Sequence, residues 1–354
     1  MSAAVPAPES GPDAGAVWHH GDPLGEQRAA TDAVVVVDRS HRAVLTLRGA
    51  DRKSWLHSLT TQHVSDLPDG AVTENLSLDG QGRVEDHWIQ TELDGVTYLD
   101  TEPWRGEPLL AYLRKMVFWS DVAVEPADLA VLTLLGPLVA DAAVLTALGV
   151  DALPGPDTAL ALPDGGFLRS RGEAEVDLVV PRDQTEQWRR RLVDAGVRPA
   201  GIWTFEAHRV ATLQPRLGVD TDERTIPHEV GWIGPAVHLD KGCYRGQETV
   251  ARVHNLGKPP RMLVRLHLDG SADRPAPGAQ VLAGGRVVGR LGTVVDHVDE
   301  GPVALALLKR GLPADTTLDV DGVPAVIDAD TLPPPDAAGA GRRAVEQLRG
   351  GARP

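Results

Sequence analysis

The chain has 354 residues, a formal net charge of -15 and aromatic residues at only 4%. This acidic balance excludes broad contact with nucleic acid or an anionic membrane, whose phosphates attract clustered Lys and Arg, and points to small-molecule or protein partners. A single cysteine excludes an intrachain disulfide framework, suits a reducing compartment and falls short of the several thiolates that a protein-held iron-sulfur cluster takes.

At this length two or three substructures are expected. Met1 to Asp32 holds no apolar run that would mark a secretion signal, so cytoplasmic residence is expected, and its prolines and glycines read as a disordered leader over residues 1–32. Order is expected from about Ala33. Val34 to Val37 is a short apolar run and Ala43 to Gly49 reads as a strand ending at a glycine. A helix follows, with Asp51 near its start and Trp55, Leu56 and Leu59 on one face. Asn75 to Thr101 carries the turn dipeptides Asp79-Gly80 and Asp94-Gly95 between alternating segments, the pattern of an antiparallel meander. Asp79-Gly80-Gln81-Gly82 has no helix behind it and reads as a hairpin turn instead of a phosphate cradle.

Ala130 to Gly136 (AVLTLLG) echoes Ala43 to Gly49 (AVLTLRG), each ahead of a helical pattern, which implies two related strand-helix units. Leu129 to Val150 is long enough for a membrane span but is interrupted by Gly136-Pro137 and Asp141, so it reads as a buried strand and then a helix. Leu168 to Val180 is another strand pattern, and Asp183 with Glu186 is expected to cap a helix ending near Gly196. Gly201 to Ala211 is a helix leading into a polar loop that runs to Glu229. Strands and helices mix without regular alternation, which favours α+β layers over a doubly wound sheet. Beyond Pro259-Pro260, Met262 to Leu268 alternates and short apolar strands follow to Ile327, the signature of a small antiparallel β-barrel. From Pro333 onward Pro, Ala and Gly dominate, so a flexible tail with a brief helix at Ala344 to Leu348 is expected.

The stretch that carries chemistry opens Lys241-Gly242-Cys243-Tyr244-Arg245-Gly246-Gln247-Glu248. From Lys241 to Arg265 six cations, Lys241, Arg245, Arg252, Lys258, Arg261 and Arg265, face one acid, Glu248, a local reversal of sign that suggests an anionic ligand. Lys241 and Arg245, two residues to either side of Cys243, place the thiol in a positive field that favours thiolate. Gly242 and Gly246 permit a tight turn with amides close to a ligand. The pattern alone also fits a small buried apolar cysteine beneath a solvated charged face, and both readings stay open. None of the twelve histidines lies in a metal-binding spacing, and His228 beside Glu229 reads equally as a loop hydrogen-bonding pair.

This motif, with Arg252 four residues further on, resembles the signature of the YgfZ family, folate-binding proteins related to the glycine cleavage T-protein (aminomethyltransferase). The resemblance runs from Leu45 to about Ile327 and includes Thr225-Ile226-Pro227-His228-Glu229. It implies a T-protein-like folate-binding region over residues 33–258, pseudo-duplicated in antiparallel sheet and helix layers, a C-terminal β-barrel over 259–331 and a tail over 332–354. It further implies tetrahydrofolate or a derivative as cofactor and iron-sulfur enzymes or their assembly machinery as partners. Cys243 and Lys241 are its implied catalytic residues, with Tyr244, Arg245, Gly246, Gln247, Glu248 and Arg252 as folate contacts and no metal.

Two positions depart from the T-protein pattern. Its catalytic aspartate corresponds here to Pro108, or to Glu107 after a shift. Its pterin-binding glutamate corresponds to Ala211, whose methyl group accepts no hydrogen bond. That role passes to Glu206 or Glu229, or folate binds weakly or not at all. The readings are therefore a folate-binding protein supporting assembly or repair of iron-sulfur enzymes through a reactive cysteine, a folate-dependent one-carbon transferase, and a non-catalytic folate-binding or client-docking module with Cys243 buried.

Overall fold

The computed structural model describes residues 4–256, 258–271 and 273–332; the expected tail, with its helix at Ala344 to Leu348, lies outside them from residue 333 onward. The chain divides into two compact units, one of residues 1–75 and 86–207 and one of residues 76–85 and 208–354. Position 258, where a boundary was expected, is interior to the second unit.

The first unit begins earlier than its composition suggests. β1 (Val5–Pro6) pairs with β2 (Val17–His19), and α1 (Pro23–Asp32) follows, so the leader is ordered from residue 4. Local and distant contacts both hold it: Asp22 caps α1 by accepting from the Gly25 amide, and Pro23 fills the first helical position where no amide is needed. Glu26, buried at 1% exposure, then accepts from the amides of His20 and Gly201 at 2.7 and 2.9 Å. Proline and glycine shape this segment without dissolving it.

Next come β3 (Val35–Asp38), β4 (Ala43–Arg48), α2 (Arg52–Leu59), β5 (Val72–Leu78), β6 (Val84–Leu93), β7 (Val96–Thr101), α3 (Gly106–Lys115), β8 (Ala123–Ala127) and β9 (Leu129–Leu135). They are followed by α4 (Ala142–Leu148), β10 (Ala159–Ala161), β11 (Phe167–Ser170), β12 (Glu175–Pro181), α5 (Thr185–Asp194), β13 (Arg198–Ala200) and α6 (Ile202–Ala211). One sheet has the order β5-β6-β7-β4-β8 and the other β10-β11-β12-β9-β3-β13, all antiparallel apart from β13 beside β3. The echoing segments are β4 and β9, and each ends on a glycine with positive φ. A Cβ at Gly49 would lie 2.0 Å from the Asp121 carbonyl oxygen, and one at Gly136 would lie 2.2 Å from that of Ala33. No side chain fits at either position, so the repeated glycine has a steric cause.

Trp55 and Leu56 of α2 and Leu109 and Leu113 of α3 cover one face of the first sheet; α4 and α5 cover the second through Val144, Leu148, Trp188 and Leu192. Asp183 does not cap α5. It lies in a 3-10 turn, Arg182–Gln184, and Glu186 pairs outward with Arg189 and Arg190. Val44, Leu93, Val131, Phe167 and Val179 form a core joining the two sheets. Beside it lies a buried ionic network. Asp100 accepts from Arg42 and Arg169, and Asp177 accepts from Arg169 and from the Thr133 hydroxyl. Burial opposes the charge on Asp100, but the guanidinium groups of Arg42, Arg169 and Arg39 hold its carboxyl well below the usual range.

The second unit holds the tip of the β5–β6 hairpin, α7 (Gln247–Leu256) and a closed barrel of β14 (Arg261–Leu268), β15 (Gln280–Ala283), β16 (Arg286–His297), β17 (Gly301–Lys309), β18 (Leu318–Val320) and β19 (Val323–Ile327). The fold is α+β with a small C-terminal antiparallel barrel, as expected. β14 alternates strictly, placing Met262, Val264, Leu266 and Leu268 inside. α7, which the sequence reading left unassigned, docks through Val250 into a core with Leu76, Leu78, Val84, Leu217, Trp232 and Tyr244.

Candidate functional site

The cysteine motif is built in the second unit, where the turn between β5 and β6 meets the segment ahead of α7. Asp79 closes that turn by accepting from the amides of Gln81 and Arg83, each at 2.8 Å. Gly82 (φ +79°) and Gly246 (φ +83°) then pack backbone to backbone. A Cβ on Gly246 would lie 2.7 Å from the Asp79 carbonyl oxygen and 2.8 Å from Gly82 Cα, and one on Gly82 would lie 2.8 Å from Thr249 Cβ. The glycine-rich turn is thus the packing partner of the motif. Gly242, by contrast, borders open space.

This packing sets which motif side chains face inward. Lys241, 5% exposed, and Tyr244 are buried, while Gly242 and Cys243 between them are exposed. Cys243 is therefore not the buried apolar residue that the pattern left open. The Lys241 ammonium lies 5.2 Å from the Tyr244 ring centroid, in cation–π range, and the Lys241 carbonyl accepts from Gln247 Nε2 at 3.4 Å. Burial lowers the Lys241 amine to about 8 and raises the Tyr244 phenol to about 12. An amine in that range exchanges protons readily at physiological pH. Glu248 occupies the first turn of α7, where the helix dipole favours an anion; Glu248 and Arg252 are both exposed.

Much of the local positive charge is spent within the fold. Arg245 pairs with Glu85 at 3.0 Å, Arg261 with Asp222 at 2.6 Å and Glu229 at 2.7 Å, and Arg265 with Asp328 at 2.6 Å and Glu300 at 3.0 Å. Arg252 and Lys258 belong to none of these pairs. Glu229, 3% exposed, accepts from Arg261 Nε and Nη2 at 2.8 and 2.7 Å and from the Ile226 amide at 3.1 Å. Both of its oxygens take part in this clamp. Burial works against the charge of Asp222, yet hydrogen bonds from Arg261 and Thr225 hold its carboxyl at about 2.

His228 was not singled out as a site residue, and it is not half of a loop hydrogen-bonding pair. Both of its ring nitrogens are buried without a hydrogen-bond partner among the described residues. The ring of His254 on α7 lies 6.3 Å away, centroid to centroid. Burial, reinforced by His254, lowers His228 to about 4. Glu206 is buried on α6, in the part of that helix belonging to the first unit. Glu107 and Pro108, the places offered for a T-protein aspartate, are exposed at the start of α3. Ala211 is half-buried at the end of α6. Among the described residues one trio has metal-ligand spacing, His267, Glu300 and Asp328, but the Arg265 guanidinium already binds both carboxylates.

The fold and the motif define the class in which this chain finds its likenesses. Glycine cleavage system aminomethyltransferase T from Bartonella henselae superimposes with a TM-score of 0.80 at 18% identity, over 93% of this chain and 94% of that one, so the two share a fold. No family model matches the sequence. An aminomethyltransferase of Stenotrophomonas maltophilia is 28% identical over 86% of this chain and 85% of its own length, and one of a Nostoc species is 29% identical over 85% of each. A putative chloroplastic transferase of Arabidopsis thaliana is 25% identical over 74% of this chain and 62% of its own length. No helix among the described residues is long and apolar enough to cross a membrane.

Proposed function

We propose that the chain binds tetrahydrofolate or a derivative in the manner of the YgfZ family and supports assembly or repair of iron-sulfur enzymes, with Cys243 as its reactive group. The observation that carries this reading is the exposed Cys243 between buried Lys241 and Tyr244, on a backbone fixed by the Gly82–Gly246 contact. Such a thiol is accessible to a ligand while its neighbours are held in place, as covalent catalysis requires. Arg252 and Lys258, with the Lys241 ammonium, supply positive charge for the acidic tail of a folate, and Gln247 steadies the Lys241 backbone. When bound, the folate would supply its one-carbon chemistry. The resemblance of the Lys241–Glu248 motif supports a folate ligand, and relatives named aminomethyltransferase accord with a ligand of one-carbon chemistry.

Fluorescence titration with tetrahydrofolate, paired with complementation of cells lacking the protein, tests this reading. Wild type is expected to bind saturably. Ala211→Glu, which restores an acceptor worth about 1 to 2 kcal/mol, is expected to tighten binding about tenfold. Cys243→Ser is expected to bind within about twofold of wild type yet fail to restore iron-sulfur enzyme activity. No saturable binding to wild type, or full restoration by Cys243→Ser, refutes the proposal.

The extended similarity to aminomethyltransferases favours a second reading, a one-carbon transferase. Its weakness is the exposed Glu107-Pro108 at the expected aspartate. Turnover of methylene-tetrahydrofolate with an amine or thiol acceptor, unchanged in Cys243→Ser, would promote it.

A further inference from the structure

Two histidines far apart in sequence meet in the second unit, and the functional reading uses neither. His228 stands in the 3-10 turn Pro227–Glu229, which packs against α7, and His254 stands on α7 itself. Their rings lie 6.3 Å apart, centroid to centroid, at an interplanar angle of 39°. His228 as a whole is half-buried, yet both of its ring nitrogens are sealed from solvent without a hydrogen-bond partner among the described residues. Enclosed imidazole nitrogens ordinarily meet a hydrogen-bonding group or a metal ion, and here the neighbouring ring is another imidazole. Both rings have firm supports. The Pro227 carbonyl accepts from the Trp232 amide at 3.1 Å, the Glu229 amide donates to the Ile226 carbonyl at 3.0 Å, and the Glu229 carboxylate is held by Arg261. On α7, His254 lies one helical turn beyond Val250 and so on the same face, and Val250 is fixed in the core with Val230 and Trp232.

We propose that His228 and His254 form a binding site for a divalent transition-metal ion of the nickel or copper type, one nitrogen of each ring holding it from opposite sides. A ring nitrogen lies about 1.1 Å from its own centroid, so centroids at 6.3 Å let facing nitrogens stand about 4 Å apart, the span of two metal–nitrogen bonds of about 2.0 to 2.1 Å across one ion. That opposed arrangement suits the tetragonal geometry of copper or nickel better than tetrahedral zinc. Imidazole donors also select these ions over calcium and magnesium, which take oxygen ligands. His254 is only half-buried, which gives the ion a path from solvent and leaves room for water to complete its coordination. So held, the ion ties the Pro227–Glu229 turn to α7, the helix that opens on Gln247 and Glu248 of the cysteine motif.

Isothermal titration calorimetry with Ni²⁺ on the full chain, first stripped of metal by a chelator, provides the test. Wild type is expected to take up one equivalent, and His228→Leu and His254→Leu are each expected to weaken that binding about tenfold or more with far-UV circular dichroism unchanged. Thermal unfolding supplies a second readout. Saturating Ni²⁺ is expected to raise the midpoint of wild type and to leave both variants where they were, because an ion held only by the folded pair of rings stabilises the fold. Affinity unchanged in either variant would assign the ion to other side chains and overturn the proposal. Absence of saturable binding to wild type up to about 1 mM, an affinity of about 4 kcal/mol, would leave water as the partner of His228 and overturn it as well.

Discussion

His228→Leu isolates the cost of keeping a buried histidine neutral. In the fold this side chain titrates at about 4, against about 6.5 in the unfolded chain. Between those values the unfolded state binds more protons than the folded one, so stability rises with pH. The contribution is complete above about pH 6.5 and is lost progressively as the pH falls toward 4. The whole gap is worth about 3 kcal/mol, of which about 2 kcal/mol is gone by pH 5. Because the ring is only partly enclosed, water screens some of this, leaving about 1 kcal/mol to be measured. Urea unfolding of wild type and His228→Leu at pH 7.5, 6.0 and 5.0 reads it directly. Arginine-paired carboxylates such as Asp222 and Asp100 lose their contribution mainly below about pH 4 and do not interfere. Wild type is expected to lose about 1 kcal/mol relative to the variant between pH 7.5 and 5.0; parallel losses in the two proteins refute the reasoning.

Lys241→Met is expected to stabilise the fold at pH 7 by about 1 to 2 kcal/mol, because burial lowers the amine from 10.5 to about 8 and the charged form is penalised below that pH. The gain should disappear as the pH rises toward 10, while tetrahydrofolate binding weakens at pH 7; chemical denaturation and titration together check both. Arg261→Met strands the buried Glu229 and its neighbour Asp222 and is expected to cost about 3 kcal/mol at pH 7, with less difference from wild type toward pH 2, where Asp222 protonates. Equal losses at the two pH values would argue against the ion clamp. Gly246→Ala, with positive φ and a Cβ 2.7 Å from a carbonyl oxygen, should lower stability by about 1 to 3 kcal/mol and change the rate of Cys243 alkylation, whereas Gly242→Ala should leave the fold unaffected. Similar thermal midpoints for the two alanine variants would contradict the backbone contact.

What the amino-acid order determines by itself is whatever has a short period or a short reach. The alternation from Met262 to Leu268 specifies a barrel strand because every second side chain must leave water. AVLTLRG and AVLTLLG specify two strands that end on glycine, and Lys241 to Glu248 marks the place proposed for the chemistry. Tertiary structure decides whatever depends on partners far along the chain. The segment's +5 charge does not remain a positive field, because Glu85, Asp222, Glu229, Glu300 and Asp328 return to it from elsewhere in the chain. Likewise Asp79-Gly80-Gln81-Gly82 reads alone as an ordinary turn, and only packing against Gly246 makes it part of the motif's support. Even the leader follows this rule: its composition suggests disorder, yet Glu26 gains the amide of Gly201, 175 residues away, and the segment folds. The common physical reason is that hydrogen bonds and charges are satisfied by whatever lies nearest in space, and a linear sequence states only what is nearest in order.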